Sequence, residues 1–251
     1  MNAPALRTKQ LRKHFGGIVA TQDVSITVAQ GARHALIGPN GADKTTLVNL
    51  LTGMLEPTAG SIELNGENIT AMPPHQRVGR GLVRTFQINQ LFGEFTPLES
   101  IALVIAQRDG DGTKFWRPLA RHAATVEEAA TLLAAFHLGD VLDRRTALLP
   151  YGKRRLLEIA IAVASRPKVL LLDEPMAGVP AGESTEILDT LAALPADVTV
   201  LLIEHDMDLV FRFATRMSVL ANGALLAEGT TDEIARDPQV KAVYLGETSR
   251  A

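Results

Sequence analysis

The chain has 251 residues, enough to bury a substantial core unaided, and with no cysteine it excludes disulfide and thiolate chemistry. A formal charge of −3 and a charged content of 21% are ordinary for a globular protein and lack the basic excess that a nucleic-acid partner leaves. No apolar run reaches the length of a membrane span, and the opening MNAPALRTKQLRKHF lacks the apolar stretch of a secretory signal, so any membrane association is expected through a partner.

The pattern predicts short strands over 5–12 and 23–28, the second from its alternating Val24, Ile26 and Val28. Residues 34–37 read as a buried strand that runs into a glycine-rich turn, and 44–51 as the helix after it. A strand over 61–64 ends at the turn signal Asn65-Gly66. From about Glu94 to Leu149 strand signals vanish and apolar spacing near 3.6 takes over, as in 126–136, with a loop-like stretch at 108–118 around Trp116. A helix over 154–165 stops at Arg166-Pro167. Buried strand and helix then alternate through 169–173, 183–194, 198–203, 206–214 and 217–220, and Asn222-Gly223 turns the chain back into 224–228. Such alternation predicts an α/β fold with a mostly parallel sheet covered on both faces. It is joined by an antiparallel N-terminal β region and an inserted helical lobe. The expected division is a core over 1–93 and 151–251 with the lobe at about 94–150.

Between the strand over 34–37 and the following helix lies Gly38-Pro39-Asn40-Gly41-Ala42-Asp43-Lys44-Thr45-Thr46. That context is the one a phosphate-binding P-loop requires. Successive backbone N–H groups form an anion nest and the helix N-terminus adds its dipole. Lys44 would reach the β- and γ-phosphates, Thr45 would hold Mg²⁺ through its hydroxyl, and Thr46 would sit near the α-phosphate. Asp43 stands where the usual pattern has glycine. At about 5 Å and an effective dielectric of about 20, one unit-charge repulsion against phosphate is roughly 3 kcal/mol, on the order of a hundredfold in affinity. Two outcomes stay open: the carboxylate weakens binding, or it turns to solvent and only its N–H matters.

Val169-Leu170-Leu171-Leu172-Asp173-Glu174-Pro175 delivers two acids to the end of an apolar strand, where ligands of such sheets bind. Asp173 suits Mg²⁺ through water, and Glu174 is placed to polarise an attacking water. Leu149-Pro150-Tyr151-Gly152-Lys153 precedes the helix over 154–165 as a proline-initiated start.

In this order the three segments resemble ABC ATPases, with a P-loop NTPase core, and the resemblance covers nearly the whole chain. It implies that Phe15 stacks on adenine, that Gln87 contacts Mg²⁺ or water and senses a membrane subunit, and that His205 contacts the γ-phosphate. It places Gly178-Val179-Pro180-Ala181 in the dimer-contact loop, without the usual aspartate. It makes 149–153 the signature segment, in which Pro150 replaces a serine and Tyr151 a glycine, while the Gly152 N–H remains and Lys153 adds a cation. Within the family the chain is similar to the ATPase subunits of branched-chain or hydrophobic amino-acid importers, a group that also serves urea, short amides and aromatic acids. The carrying residues are Phe15-Gly16-Gly17, Arg84-Thr85-Phe86-Gln87, Ile203-Glu204-His205-Asp206-Met207-Asp208-Leu209-Val210, and Asp237-Pro238 through Tyr244-Leu245-Gly246.

The implied cofactors are ATP and Mg²⁺. The implied partners are a second ATPase subunit, transmembrane permease subunits and, indirectly, a periplasmic solute-binding protein, with the chain peripheral on the cytoplasmic face of the membrane. Two other readings stand beside it. One is a hydrolysis-impaired coupling module whose P-loop is weakened by Asp43. The other is an ATPase of DNA repair or translation, disfavoured because those carry two cassettes or long inserted arms.

Overall fold

In the computed structural model, which describes residues 3–85, 91–110 and 122–248, packing divides the chain into two compact units. The first comprises 1–84, 168–174 and 195–251, and the second 85–167 and 175–194.

The first unit opens with β1 (Leu6–Phe15), β2 (Ile18–Val24) and β3 (Thr27–Val28). Then come β4 (Arg33–Ile37), α1 (Lys44–Thr52), β5 (Ala59–Leu64), β6 (Glu67–Asn68), α2 (Pro74–Gly79) and β7 (Leu82–Arg84). The antiparallel sheet has the order β2-β1-β5-β6, with β3 also paired to β1. The predicted strand over 5–12 runs on to Phe15, because Gly16 at φ +59° turns the chain into β2 and makes a hairpin. The polar Lys13 and His14 hide that extension from a reading based on apolar alternation.

The unit continues with β8 (Val169–Asp173), β9 (Thr199–Ile203), α7 (Met207–Phe213), β10 (Arg216–Ala221) and β11 (Ala224–Thr230), and it closes with α8 (Thr231–Arg236) and α9 (Pro238–Thr248). The second sheet has the order β11-β10-β4-β9-β8-β7, parallel throughout except for the antiparallel edge strand β11. Every residue of β8 and of β9 is buried, which explains why these strands read as unbroken apolar runs. Alternation assigns the faces. Leu36 joins a core shared with Leu47, Val48, Leu50 and Leu51 of α1 and with Leu6, Leu11 and Ile62 of the antiparallel sheet. Ala35 and Ile37 join the opposite core, with Val210, Met217 and Ile234. His34, also in β4, is buried with Nε2 2.8 Å from the Ser218 hydroxyl. Burial, aided by the Arg216 charge, lowers its pKa to about 4 and keeps the ring neutral.

The second unit is helical, with α3 (Pro97–Arg108), α4 (Ala123–Ala135), α5 (Tyr151–Ala164) and α6 (Ala181–Ala192). Thr96 and Glu99 form a capping box that starts α3. This unit is wider than the expected lobe at about 94–150, because α5 packs on α3, α4 and α6. The short α2, β7 and α8 and the terminal α9 were not expected from the pattern: the first three have three to six residues, too few to show a period.

Arg77 anchors the far end of α1. It is 2% exposed and donates to the carbonyls of Leu50 and Leu51 at 2.8 and 2.6 Å, and to those of Thr70 and Met72 at 2.9 and 2.8 Å. A cation thus satisfies the last carbonyls of the helix and complements its dipole. Gly53 must be glycine beside it, since an added Cβ would lie 2.8 Å from the guanidinium Nε. Arg77→Met is expected to cost about 2–4 kcal/mol of unfolding free energy in urea, because four carbonyls at buried or half-buried residues each lose a charged donor.

Candidate active site

The site is built at the C-terminal ends of three neighbouring strands, β4, β9 and β8. The loop after β4 carries Gly38 to Lys44, the end of β8 carries Asp173 and Glu174, and His205 follows β9 two residues past Ile203. All belong to the first unit.

The loop's shape has local causes. Gly38 comes so close to β10 that an added Cβ would lie 2.4 Å from the Leu220 carbonyl. Ala42 N–H donates to the Pro39 carbonyl at 3.1 Å, closing a turn. Asp43 then caps α1 in the left-handed region, at φ 62° and ψ 27°, a conformation that favours glycine. Its backbone carbonyl accepts from Leu47 N–H at 3.1 Å, while its side chain accepts no capping hydrogen bond. Among the described residues the carboxylate has one hydrogen-bond partner, the Thr46 hydroxyl at 3.5 Å, a weak contact. A half-buried anion therefore lies over the first turn of the helix, beside the N–H groups and the dipole that would otherwise serve a phosphate. Lys44 donates to the carbonyls of Gly38 and Pro39 at 2.5 and 3.0 Å, folded back over the loop. Thr45 is exposed.

The acids are held differently. Asp173 ends β8 with 9% of its side chain exposed, and Arg84, at the end of β7, donates to it at 2.5 Å. Arg84 also donates to the Asn49 side chain of α1 at 2.8 Å. Glu174 sits at φ 45°, a strained position for a non-glycine residue, and its N–H donates to the Ile203 carbonyl at 2.9 Å, pinning the end of β8 to β9. His205 Nδ1 lies 3.7 Å from the Glu174 carboxylate and 3.6 Å from that of Glu204, which is buried. Phe15 is 46% exposed at the hairpin tip, with the Lys13 ammonium 5.1 Å from its ring centroid. Gln87 and Phe86 lie outside the described residues.

Among the described residues no three His, Cys, Asp or Glu side chains converge as a metal cage. The set at the strand ends, a hydroxyl and a carboxylate beside a phosphate loop, fits Mg²⁺, which takes one or two protein oxygens and completes its shell with phosphate and water.

In the second unit, Pro150 caps α5 without a side-chain hydrogen bond, and the Tyr151 hydroxyl donates to the Ala177 carbonyl at 2.9 Å. Gly152 is buried against Glu183, whose carboxylate would have to shift to admit a Cβ. The Lys153 ammonium, expected as an added cation in the signature segment, instead donates to the His137 carbonyl and lies 3.5 Å from Asp140. Arg155, fully buried, donates to the Pro175 carbonyl at 2.8 Å and to Glu158 at 2.7 Å. Sequence reading missed the Arg155 contacts and the Arg84–Asp173 pair. Arg84 was visible only as the first residue of the run Arg84-Thr85-Phe86-Gln87 that carries the family resemblance, with no contact assigned to it.

A family description, ABC transporter, matches residues 21–177, more than half of the chain. The chain belongs to the ABC transporter ATP-binding family. A second description, branched-chain amino acid ATP-binding cassette transporter, matches 224–249. The chain is 40% identical to a high-affinity branched-chain amino acid transport ATP-binding protein, BraF, of Pseudomonas aeruginosa, covering 98% of this chain and 100% of that one. It is 35% identical to a probable branched-chain amino acid transport ATP-binding protein, LivG, of Methanocaldococcus jannaschii, covering 96% and 97%. An ATP-binding cassette of an ABC transporter, solved in its ADP conformation, superposes with a TM-score of 0.83 at 33% identity over 97% of this chain and 99% of that chain. The chain is thus an ABC ATPase, and the α/β class with antiparallel and parallel sheets is that of its structural relatives.

Replacing Asp43 with glycine removes both a left-handed non-glycine residue and a negative charge from the α1 N-terminus. Asp43→Gly is expected to tighten Mg-ATP binding on the order of a hundredfold, measured by calorimetry beside the parent chain.

Proposed function

We propose that this ABC ATPase powers import of a small solute, branched-chain amino acids or a related amino acid or amide. The observation that carries the catalytic part is the convergence of Lys44, Asp173, Glu174 and His205 at the ends of three adjacent strands. The solute class rests on the relatives' names and on the match over 224–249.

In this reading ATP lies on the loop from Gly38 to Thr46, with adenine against the exposed face of Phe15. Lys44 exchanges its two carbonyl partners for phosphate oxygens. Thr45, Asp173 and Gln87 would hold Mg²⁺, which would supply charge neutralisation for the transferred phosphoryl group. Glu174 accepts a hydrogen bond from the attacking water and orients it in line with the γ-phosphorus. His205, near the Glu174 carboxylate, donates to the γ-phosphate. The N-terminus of α5, with Gly152, serves the nucleotide of a second ATPase subunit.

That partner is a different ATPase chain, which separates Asp43 and Pro150 into two different composite sites. Permease subunits receive the pair on the cytoplasmic face of the membrane, and a periplasmic solute-binding protein delivers the solute to them. Among the described residues no helix is long and apolar enough to cross a membrane.

The test is hydrolysis by the intact transporter. Glu174→Gln is expected to lower phosphate release at least about a hundredfold while ATP affinity stays within about threefold, because the carboxylate acts on water rather than on the bound nucleotide. Unchanged turnover would remove Glu174 from the mechanism.

A further inference from the structure

The Arg84–Asp173 pair joins the edge of the parallel sheet to its chemical end. Arg84 is the last residue of β7, the strand beside β8, and pairs in register with Leu171, two residues before Asp173. Its side chain is 12% exposed and that of Asp173 9%. The guanidinium spans two elements of the site, with Nη2 on the Asp173 carboxylate at 2.5 Å and Nη1 on the Asn49 carbonyl oxygen at 2.8 Å. Asn49 lies on α1, the helix whose N-terminus forms the phosphate loop, roughly one and a half turns beyond Lys44. One planar cation thus fixes the spacing between the strand that carries the acid and the helix that receives the phosphates, a geometry that suits arginine's rigid fork.

We infer that Arg84 is a positioning residue that neutralises and aims the Asp173 carboxylate whenever the nucleotide site holds no metal. This rests on the reading of Asp173 as a Mg²⁺-side group. A bare carboxylate at this depth would repel an incoming polyphosphate. With Arg84 on it, Asp173 presents little net charge, so nucleotide can enter before or without the metal. The same contact sets a competition: Asp173 can serve the metal shell only by sharing or yielding its oxygen to that cation. Arg84 therefore strengthens metal-free nucleotide binding and blunts the gain that Mg²⁺ adds.

The gain is measured as the ratio of ADP affinities with Mg²⁺ and with EDTA, by calorimetry on the full chain. In Arg84→Gln the affinity in EDTA is expected to fall about tenfold and the affinity with Mg²⁺ to change by less than about threefold, so the ratio widens about tenfold. Arg84→Lys, which keeps the charge, should hold the ratio within about threefold of wild type. A role confined to folding would weaken both affinities in parallel, and that result, or a ratio that does not move, overturns the inference. If Arg84→Gln does not fold by circular dichroism, Asn49→Leu replaces it. That variant keeps both charges, removes the second anchor of the guanidinium, and should widen the ratio by about threefold, with an unchanged ratio counting against the proposal. Absence of ADP binding in both buffers, in wild type and in Asp43→Gly alike, would overturn the nucleotide-site reading and this inference together. Wild-type binding with parallel losses in the variants overturns the inference alone.

Discussion

Strands buried on both faces leave chemistry only at their ends, and this constraint organises the protein. β8 and β9 have no exposed residue, so a polar group along either would be buried without water. The first position at which β8 carries a carboxylate is its last, Asp173, and Glu174 stands one residue beyond the strand. Because β4, β9 and β8 are neighbours and parallel, their C-terminal ends fall on one side of the sheet. The phosphate loop, the two acids and His205 are brought together by lateral hydrogen bonding between backbones that carry none of the chemistry.

Two residues of the site hold left-handed backbone. Asp43 and Glu174, both non-glycine, hold φ at 62° and 45°. Each is offset by neighbours: α1 is tied at its far end by Arg77, and the Glu174 N–H is tied to β9. Strain held by a well-packed surround is common at functional sites. Asp43 differs from Glu174 in placing its carboxylate on the loop proposed to receive the phosphates. The α1 N-terminus beside this carboxylate is the same one that a phosphate would use.

Much of this was legible in the sequence because it rests on local pattern. Glycines at fixed offsets before Lys44-Thr45-Thr46, an apolar run ending in Asp173-Glu174, and strand–helix alternation after 169 each announce themselves within a few residues. What stayed hidden depends on pairing across the chain. That Arg84 meets Asp173 follows from β7 lying beside β8, 89 positions apart, which no spacing encodes. The reach of the helical unit is hidden for the same reason: α5 resembles the start of a new alternating core, yet its buried face is packed on α3 and α4. The engagement of Lys153 with His137 and Asp140 likewise arises from the tertiary fold.

The central claim is that three strand ends form one nucleotide site. Amide hydrogen exchange of the chain with and without Mg-ATP tests it most directly. The account predicts that nucleotide slows exchange together in 38–46, at 173–174 and at 204–206, the segments that end β4, β8 and β9. Protection confined to 38–46, with the ends of β8 and β9 unchanged, would contradict it.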